Sequence, residues 1–202
     1  FSVNLEDDIL HTVVPRKFIS NTYGGSTQTT LPTIGGDHEM RDRFNNFMCL
    51  TKDFQPCAPL MPGRVGIWLN GSNNDIHRRG TMRVISRVTK NPSRWVYQGQ
   101  YRLYLSKPLT KDEWTMQSVA VRNTWAKALS TKPWGCYIRK GIYAQKLLSR
   151  KPTNGEVGSI TPEQDMTITA EEVALALTRG DESITVFLMK CIGYDEGFQR
   201  DI

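Results

Sequence analysis

The residues with the clearest chemistry in this sequence are basic side chains concentrated in one stretch. Between Ile76 and Gly155 the chain carries seventeen Lys and Arg but only two acids, Asp112 and Glu113. Residues 1–75 hold six basic and eight acidic side chains, and residues 156–202 hold three and ten, so the segments carry −2, +15 and −7 within a whole-chain charge of +6. Such a segment repels itself unless an anion lies against it, and nucleic-acid phosphate is a common partner. The alternative is that the acidic C-terminal segment folds back and neutralises the basic one.

Several of these basic residues lie on two neighbouring predicted strands, where they can form one charged surface. In the run Thr81–Lys90, Arg83 and Arg87 are an even number of residues apart, so a strand directs both side chains to one face. In residues 94–106 alternation places glutamines, an arginine and a tyrosine together, and these types bond base edges, neutralise phosphate and stack on bases. The positions that we predict to bind nucleic acid are Arg78, Arg79, Arg83, Arg87, Arg94, Gln98, Gln100, Arg102, Tyr104, Arg122, Arg139 and Lys140.

Fewer residues point to catalysis. Metal-dependent phosphodiester cleavage needs clustered carboxylates around Mg²⁺, and the basic segment holds only two acids. The alternative enzyme is a His-dependent nuclease that uses His77, Asp75 and His38. A third alternative is a protein-interaction domain for an acidic partner. We favour a non-enzymatic nucleic-acid-binding module, with DNA ahead of RNA.

Cysteine and histidine usage bears on metals and on the redox compartment. Cys49, Cys57, Cys136 and Cys191 stand at wide, irregular spacings, and the three histidines are scattered. No pair has the close spacing of a zinc site, so we expect no metal, no cofactor, and reduced, mostly buried thiols. No apolar run approaches the ~20 residues that span a bilayer. We therefore expect no membrane partner and an intracellular location, with the nucleus favoured, and we leave the oligomeric state open.

Strand patterns dominate the middle and the end of the chain. Thr81–Lys90 and Arg94–Ser106, separated by a turn at Asn91–Ser93, predict an antiparallel hairpin in which Gly99 marks a bulge or a close backbone approach. The apolar run Ser183–Tyr194 predicts a central strand. Shorter strands are predicted at 65–70 and 134–139.

Helix signals flank these strands. Thr110–Glu113 fits a capping box that opens a helix ending before Pro133, and Thr169–Glu172 fits a second one whose helix ends at Gly180. Further helices are predicted at 141–150 and at 38–50, where apolar residues recur at helical spacing.

These elements predict an α+β fold, with a mixed, largely antiparallel sheet or partly closed barrel and three or four flanking helices. We expect residues 1–202 to form a single domain, with a boundary near 151–162 as the alternative. Residues 1–36 predict an extended, loop-rich segment. Within it, Ser20–Thr30 is a polar stretch around a glycine pair, typical either of a binding loop or of a plain connector.

Four motifs resemble a domain family found in many predicted proteins of mushroom-forming (basidiomycete) fungi, and the resemblance covers most of residues 40–202. The motifs are Trp95-Val96-Tyr97-Gln98-Gly99-Gln100-Tyr101, Leu109-Thr110-Lys111-Asp112-Glu113-Trp114, Trp134-Gly135, and Met189-Lys190-Cys191-Ile192-Gly193-Tyr194-Asp195. That family has no established function, so the resemblance implies a domain of unknown function and no site.

A second resemblance is to SRA-type domains, which read modified cytosine by base flipping. The similar feature is the order of an aromatic-rich strand, a polar helix and a short strand ending at Ile138-Arg139-Lys140-Gly141. The sequence departs from that family at its Gly-Gly-Tyr-acidic loop, since Tyr23-Gly24-Gly25 comes too early in the chain. The resemblance implies a modified-base reader by analogy of fold alone.

Overall fold

The protein has a mixed α+β fold, as predicted, with a five-stranded sheet that curls into half of a barrel. The computed structural model describes residues 1–34, 46–72 and 80–202. The helices of this described part are α1 (Asp7–Leu10), α2 (Arg16–Tyr23), α3 (Lys111–Thr115), α4 (Val119–Thr131), α5 (Cys136–Leu148), α6 (Asn154–Ser159), α7 (Pro162–Asp165), α8 (Ala170–Arg179) and α9 (Glu196–Asp201). The strands are β1 (Phe47–Leu50), β2 (Gly66–Asn70), β3 (Thr81–Lys90), β4 (Ser93–Leu105) and β5 (Thr185–Gly193).

The sheet mixes parallel and antiparallel pairing in the order β1-β3-β4-β5-β2. Strand β1 runs parallel to β3, with Phe47 opposite Arg83. Strands β3 and β4 form the predicted antiparallel hairpin. The strands predicted at 65–70 and 183–194 are confirmed as β2 and β5, each within two residues of its predicted ends.

Gly99 interrupts the hairpin as the sequence predicts. The pairing shifts register between Val84 and Ile85, whose partners are Gly99 and Tyr97, so one extra residue is inserted in β4. Gly99 has a φ of +124°, and a Cβ there would lie 2.9 Å from the Cys191 Sγ. Both the bulge and the close backbone approach are therefore present, and a larger residue at this position would clash.

The helix-opening signals are confirmed, and one predicted helix is divided. Thr110 and Thr169 each form a complete capping box with the glutamate three residues later. The helix predicted from Thr110 to Pro133 is α3 followed by α4, because the Ser118 hydroxyl accepts a hydrogen bond from Val121 N–H and starts a new helix.

Three sequence predictions of local structure are wrong. Residues 47–50 were expected to be helical but form β1, in which all four side chains are buried, and a helix would bury one side only. The predicted strand at 134–139 belongs to α5 from Cys136 onward, since Ile138 and Ile142 are buried on one helical face. The N-terminal segment 1–36, expected to be extended and loop-rich, contains α1 and α2. Residues 38–45 of the predicted 38–50 helix lie outside the described residues.

The chain divides into two compact units, and the single-domain organisation stays a prediction. The first unit comprises Phe1–Trp68, Asp75–Tyr104 and Leu188–Ile202, and the second comprises Leu69–Asn74 and Leu105–Phe187. The first unit has an aromatic core that includes Tyr23, Phe47, Trp95, Tyr97 and Phe198. In the second unit, Trp125 and Trp134 meet edge to face at 5.7 Å.

The four cysteines are free thiols, of which Cys49 and Cys191 are buried and Cys57 and Cys136 are exposed. The expectation of mostly buried thiols therefore holds for half of them. Burial raises the pKa of Cys49 to about 12, so this thiol stays neutral at physiological pH. Within the described residues, none of the helices combines the length and the apolar composition of a membrane span.

Glu182 is a carboxyl group enclosed within the second unit. Its side chain lies so close to the α5 backbone that any side chain at Gly141 would overlap the carboxylate. Burial raises its pKa from 4.5 to about 7, opposed by the charge of Lys151 and reinforced by that of Asp181. The folded protein therefore keeps a proton on Glu182 that the unfolded chain has already lost at pH 6.

We predict that Glu182 makes the protein less stable as the pH rises. The folded pKa of about 7 exceeds the unfolded value of 4.5, so unfolding releases a proton between these values and the free energy of unfolding falls. In urea titrations, the free energy of unfolding should decrease between pH 5 and pH 7.5 by roughly 2 kcal/mol less for Glu182→Gln than for the wild type. Glu171→Gln, at an exposed position of α8, is the control. Parallel pH profiles for wild type and Glu182→Gln would contradict the assignment.

Candidate nucleic-acid interface

Acidic residues of the C-terminal segment neutralise part of the basic segment. Four cations pair with acids from residues 156–202: Arg83 with Asp195, Arg139 with Asp165, Lys146 with Glu172, and Arg150 with Glu156. Arg150 holds the pKa of Glu156 down to about 2, mainly through their hydrogen bonds. The folding-back alternative is therefore correct for these four side chains.

Arg83 is part of the core of the first unit. Its Nη2 donates to Asp195 Oδ2 at 2.8 Å, and its Nη1 donates to Asn46 Oδ1 at 3.0 Å. The guanidinium carbon lies 4.7 Å from the Phe198 ring centroid and 5.6 Å from that of Phe47. With 3% of its surface exposed, Arg83 cannot reach a phosphate without unfolding. The structure therefore places Arg83 in the core and not on an exposed surface, and we remove it from the candidate interface.

Arg139 has a structural role in the second unit. Its Nε donates to Asp165 Oδ1 at 2.7 Å, and its Nη1 donates to the carbonyls of Leu129 and Lys132 at 2.7 and 2.9 Å. It thus satisfies carbonyl groups at the C-terminal end of α4, which have no partner within the helix. Because its side chain is 2% exposed, we also remove Arg139 from the candidate interface.

Two further predicted positions are turned away from solvent or already neutralised. Arg87 binds the Asp53 carboxylate, which also lies 3.6 Å from Lys90 Nζ. Gln98 has no exposed surface, and its Nε2 donates to the Val96 carbonyl at 3.3 Å. The extra residue at the Gly99 bulge breaks the strand alternation that placed Gln98 beside Gln100 and Arg102, so we remove Gln98 from the candidate interface.

Several predicted positions lie outside the described residues: Arg78, Arg79, His77, Asp75 and His38. The His-dependent nuclease depends entirely on three of these positions. Among the described residues, no group of three or more His, Cys, Asp and Glu is arranged to hold a metal ion.

The remaining predicted cations have no acidic partner. In the described ranges 46–72 and 80–202, no carboxylate lies within ion-pair distance of Arg94 and Arg102 in the first unit, or of Arg122 and Lys140 in the second. Arg102 is exposed, and the other three are half-buried. The Nε of Arg122 is enclosed without a hydrogen-bond partner. Of these four cations, Arg102 is therefore the one whose side chain is most open to a ligand.

Arg102 belongs to an exposed face that β4 and β5 form together. Ser106 N–H donates to the Val186 carbonyl and Leu109 N–H to the Ile184 carbonyl, both at 2.9 Å, so partner numbers fall as the chain advances and the strands are antiparallel. Counting back from Ser106 places Tyr104 beside Leu188 and Arg102 beside Lys190. We call Arg102, Tyr104, Leu188, Lys190 and Ile192 the β4–β5 face.

The side chains of the β4–β5 face are all open to solvent. Tyr104 is 44% exposed, Leu188 49% and Ile192 38%, and Arg102 and Lys190 are exposed as well. None of the five is acidic, and within the described part of the chain neither cation has an ion-pair partner. The face therefore presents two free positive charges beside an aromatic ring and two aliphatic side chains.

Gln100 adjoins this face at its end nearest the bulge. It is half-buried, and its Oε1 is enclosed without a hydrogen-bond donor. It lies opposite Arg83 on β3, whose side chain is covered, so the face is closed on that side. Because this oxygen has no exposed surface, the Gln100 side chain must turn outward before it can accept a hydrogen bond from an incoming N–H group.

Sequence reasoning missed Lys190, Leu188 and Ile192. Residues 183–194 are apolar at almost every position, which predicts a strand covered on both sides. Lys190 is the one charged side chain in β5, and its even spacing from Leu188 and Ile192 marks the exposed face.

Comparison with known proteins places the chain in a family. A model of a domain of unknown function, DUF6697, matches residues 13–202. This protein belongs to the DUF6697 family. The prediction of an uncharacterised domain family is thereby confirmed, and the whole β4–β5 face lies within the DUF6697 region. No curated protein and no solved structure matches the chain.

We predict that the charge of Asp195 is essential to the stability of this DUF6697 domain. Asp195→Asn keeps an oxygen that caps α9 at Phe198 N–H but removes the carboxylate that pairs with the buried Arg83. Urea unfolding should show a loss of about 3 kcal/mol. Glu6→Gln breaks the exposed Glu6–Arg200 pair and should cost less than about 1 kcal/mol. Equal losses for the two variants would show that the buried pair contributes no more than a surface pair.

Proposed function

We propose that this protein is a module that binds single-stranded nucleic acid through the β4–β5 face. The observation that carries the proposal is that Arg102 and Lys190, which have no ion-pair partner among the described residues, lie side by side next to the exposed Tyr104 on an open sheet surface. Cations neutralise the phosphate backbone, and aromatic rings on a sheet stack on unpaired bases. In this proposal the buried arginines of the basic segment, Arg83 and Arg139, stabilise the fold and do not contact the nucleic acid.

The face suits unpaired bases better than a duplex. A base stacked inside a double helix does not expose its ring to Tyr104, whereas a single strand can splay its bases on a sheet. Leu188 and Ile192 widen the apolar contact, and the Gln100 oxygen becomes an acceptor for a base amino group when its side chain turns outward. Sequence preference would arise from this single acceptor and would be weak.

DNA and RNA are equally compatible with this proposal. The preference for DNA rests on the SRA analogy, which requires a strand where the protein has helix α5. Base flipping of a modified cytosine is therefore not part of the proposal. The nuclear location that the sequence analysis favours rests on the same proposed binding.

A protein partner with an acidic, partly apolar surface is the second candidate. The exposed Tyr104, Leu188 and Ile192 resemble the apolar centre of a protein interface, and Arg102 and Lys190 resemble its charged rim. Salt separates the two candidates, because phosphate contacts release condensed counterions and aliphatic contacts do not.

We predict that substitutions on the β4–β5 face weaken binding of a labelled oligothymidylate in fluorescence anisotropy. Arg102→Ala and Lys190→Ala should each lower the slope of log affinity against log salt by about 0.7, the value for one lost phosphate contact on a single strand. Tyr104→Ala should cost about 1 kcal/mol or more at every salt concentration. Lys52→Ala, at an exposed position of the first unit, is the control.

The proposal is wrong if the three variants bind the oligonucleotide as Lys52→Ala does. Binding with little salt dependence that Leu188→Ala and Ile192→Ala abolish would favour the protein-partner candidate. The oligonucleotide should be recovered at full length after incubation, since the proposed function includes no cleavage.

A further inference from the structure

Arg16 is a buried cation that has no countercharge among the described residues. It is the first residue of α2 and is 7% exposed. Its Nη2 donates to the Ser26 carbonyl at 2.8 Å, and its guanidinium lies over the Trp95 ring at 5.8 Å from the centroid. The Nε and Nη1 atoms are enclosed and have no hydrogen-bond partner. Two donor groups of a charged side chain are therefore left unused in the interior.

Arg83 and Arg139 are also buried, and each has the carboxylate partner that Arg16 lacks among the described residues. Arg83 and Arg139 each hold a carboxylate, at 2.8 and 2.7 Å, whereas no carboxylate of the described residues forms an ion pair with Arg16. Cys49 is near enough for Arg16 to act on its pKa, but burial raises that pKa to about 12, so the thiol stays neutral. A guanidinium buried without an anion costs several kcal/mol, and proteins rarely retain one without a use.

A polar loop covers this guanidinium. The segment Gly24-Gly25-Ser26-Thr27-Gln28-Thr29-Thr30 follows α2 and includes the carbonyl that Arg16 binds, and residues 26–30 are exposed. Gly25 has a φ of +83°, and a Cβ there would lie 2.8 Å from the Pro32 Cβ, so the loop packs tightly against the chain that follows. The loop carries four hydroxyl side chains, and one of its backbone N–H groups, that of Gln28, donates to Ser26 Oγ at 3.1 Å.

We propose that Arg16 and the loop 24–30 form a binding site for a phosphate group. A phosphate offers several acceptor oxygens and a double negative charge, which match the unused guanidinium donors and the hydroxyl groups of the loop. The group enters when the exposed Ser26–Thr30 segment moves aside. Free phosphate and the phosphoryl group of a small phosphomonoester share this chemistry. This phosphate site is separate from the β4–β5 face, so either proposal can fail without affecting the other.

Thermal unfolding at constant ionic strength tests the site, with chloride as the reference anion. Replacing chloride by inorganic phosphate should raise the midpoint temperature of the wild type, and the rise should grow with the logarithm of the phosphate concentration. Arg16→Met should unfold at a higher temperature than the wild type in chloride, because it removes an unpaired buried charge. Phosphate should then leave Arg16→Met unchanged. Lys17→Met, at the exposed neighbouring position, should keep the full wild-type response.

Phosphorus NMR titration measures binding directly and does not depend on the folding of Arg16→Met. Inorganic phosphate and a nucleoside 5′-monophosphate are titrated separately, and acetate serves as a carboxylate competitor. Whichever phosphorylated compound binds more tightly identifies the source of the group. Arg16→Lys keeps the charge but loses the planar donor set, so its affinity should fall about tenfold.

The proposal is overturned if neither phosphorylated compound binds the wild type. It is also overturned if Arg16→Lys and Lys17→Met bind phosphate equally well. A lower midpoint for Arg16→Met in chloride, together with an undiminished phosphate response, would show that Arg16 only stabilises the fold through Trp95 and Ser26.

Discussion

The ion pair between Arg83 and Asp195 joins parts of the chain that are 112 residues apart. Arg83 projects from β3, and Asp195 caps α9 by accepting a hydrogen bond from Phe198 N–H. The pair therefore fixes the C-terminal helix against the hairpin in the first unit. Phe198 then reaches Tyr97 at 4.9 Å and Tyr23 at 5.4 Å between ring centroids. The aromatic core of this unit therefore contains a buried Arg83 charge that the half-buried Asp195 carboxylate neutralises.

This pairing divides the basic segment by function. Arginines with a carboxylate in the interior, Arg83 and Arg139, organise the aromatic core and the end of α4. Cations without such a partner remain free to bind external anions, and those on the β4–β5 face lie beside exposed apolar side chains. Within the +15 segment the buried, paired arginines are therefore unavailable to a ligand, whereas side chains such as Lys107, Lys127 and Arg102 are exposed. Among the described residues, Arg16 is buried like the structural arginines but has no ion-pair partner, like the surface ones.

The sequence predicted those parts of the fold whose signals are local. The β3–β4 hairpin, the Gly99 bulge and the capping boxes at Thr110 and Thr169 each depend on residues within a few positions of one another. β1 was misread, because four consecutive apolar residues fit a buried strand and a helix face equally well. The strand predicted at 134–139 was wrong because Pro133 permits a helix start as readily as it ends the preceding helix.

The residues of the candidate site were harder to predict from the sequence than the elements of the fold. Counting charges does not reveal burial, although Arg83 lies between Met82 and Val84 in a run that is buried on both sides. Lys190 escaped notice because it lies in the acidic segment. The partners that decide which arginines are free, such as Asp195 for Arg83, are distant in sequence and meet only in the folded chain.

Ultraviolet cross-linking of the protein to an oligothymidylate, followed by mass spectrometry of the peptides, tests most directly where nucleic acid binds. The account predicts nucleotide adducts on Tyr104 or on the peptides of β4 and β5 that carry Arg102 and Lys190. Adducts confined to the helices that carry Arg122 and Lys140, or no adducts at all, would contradict it.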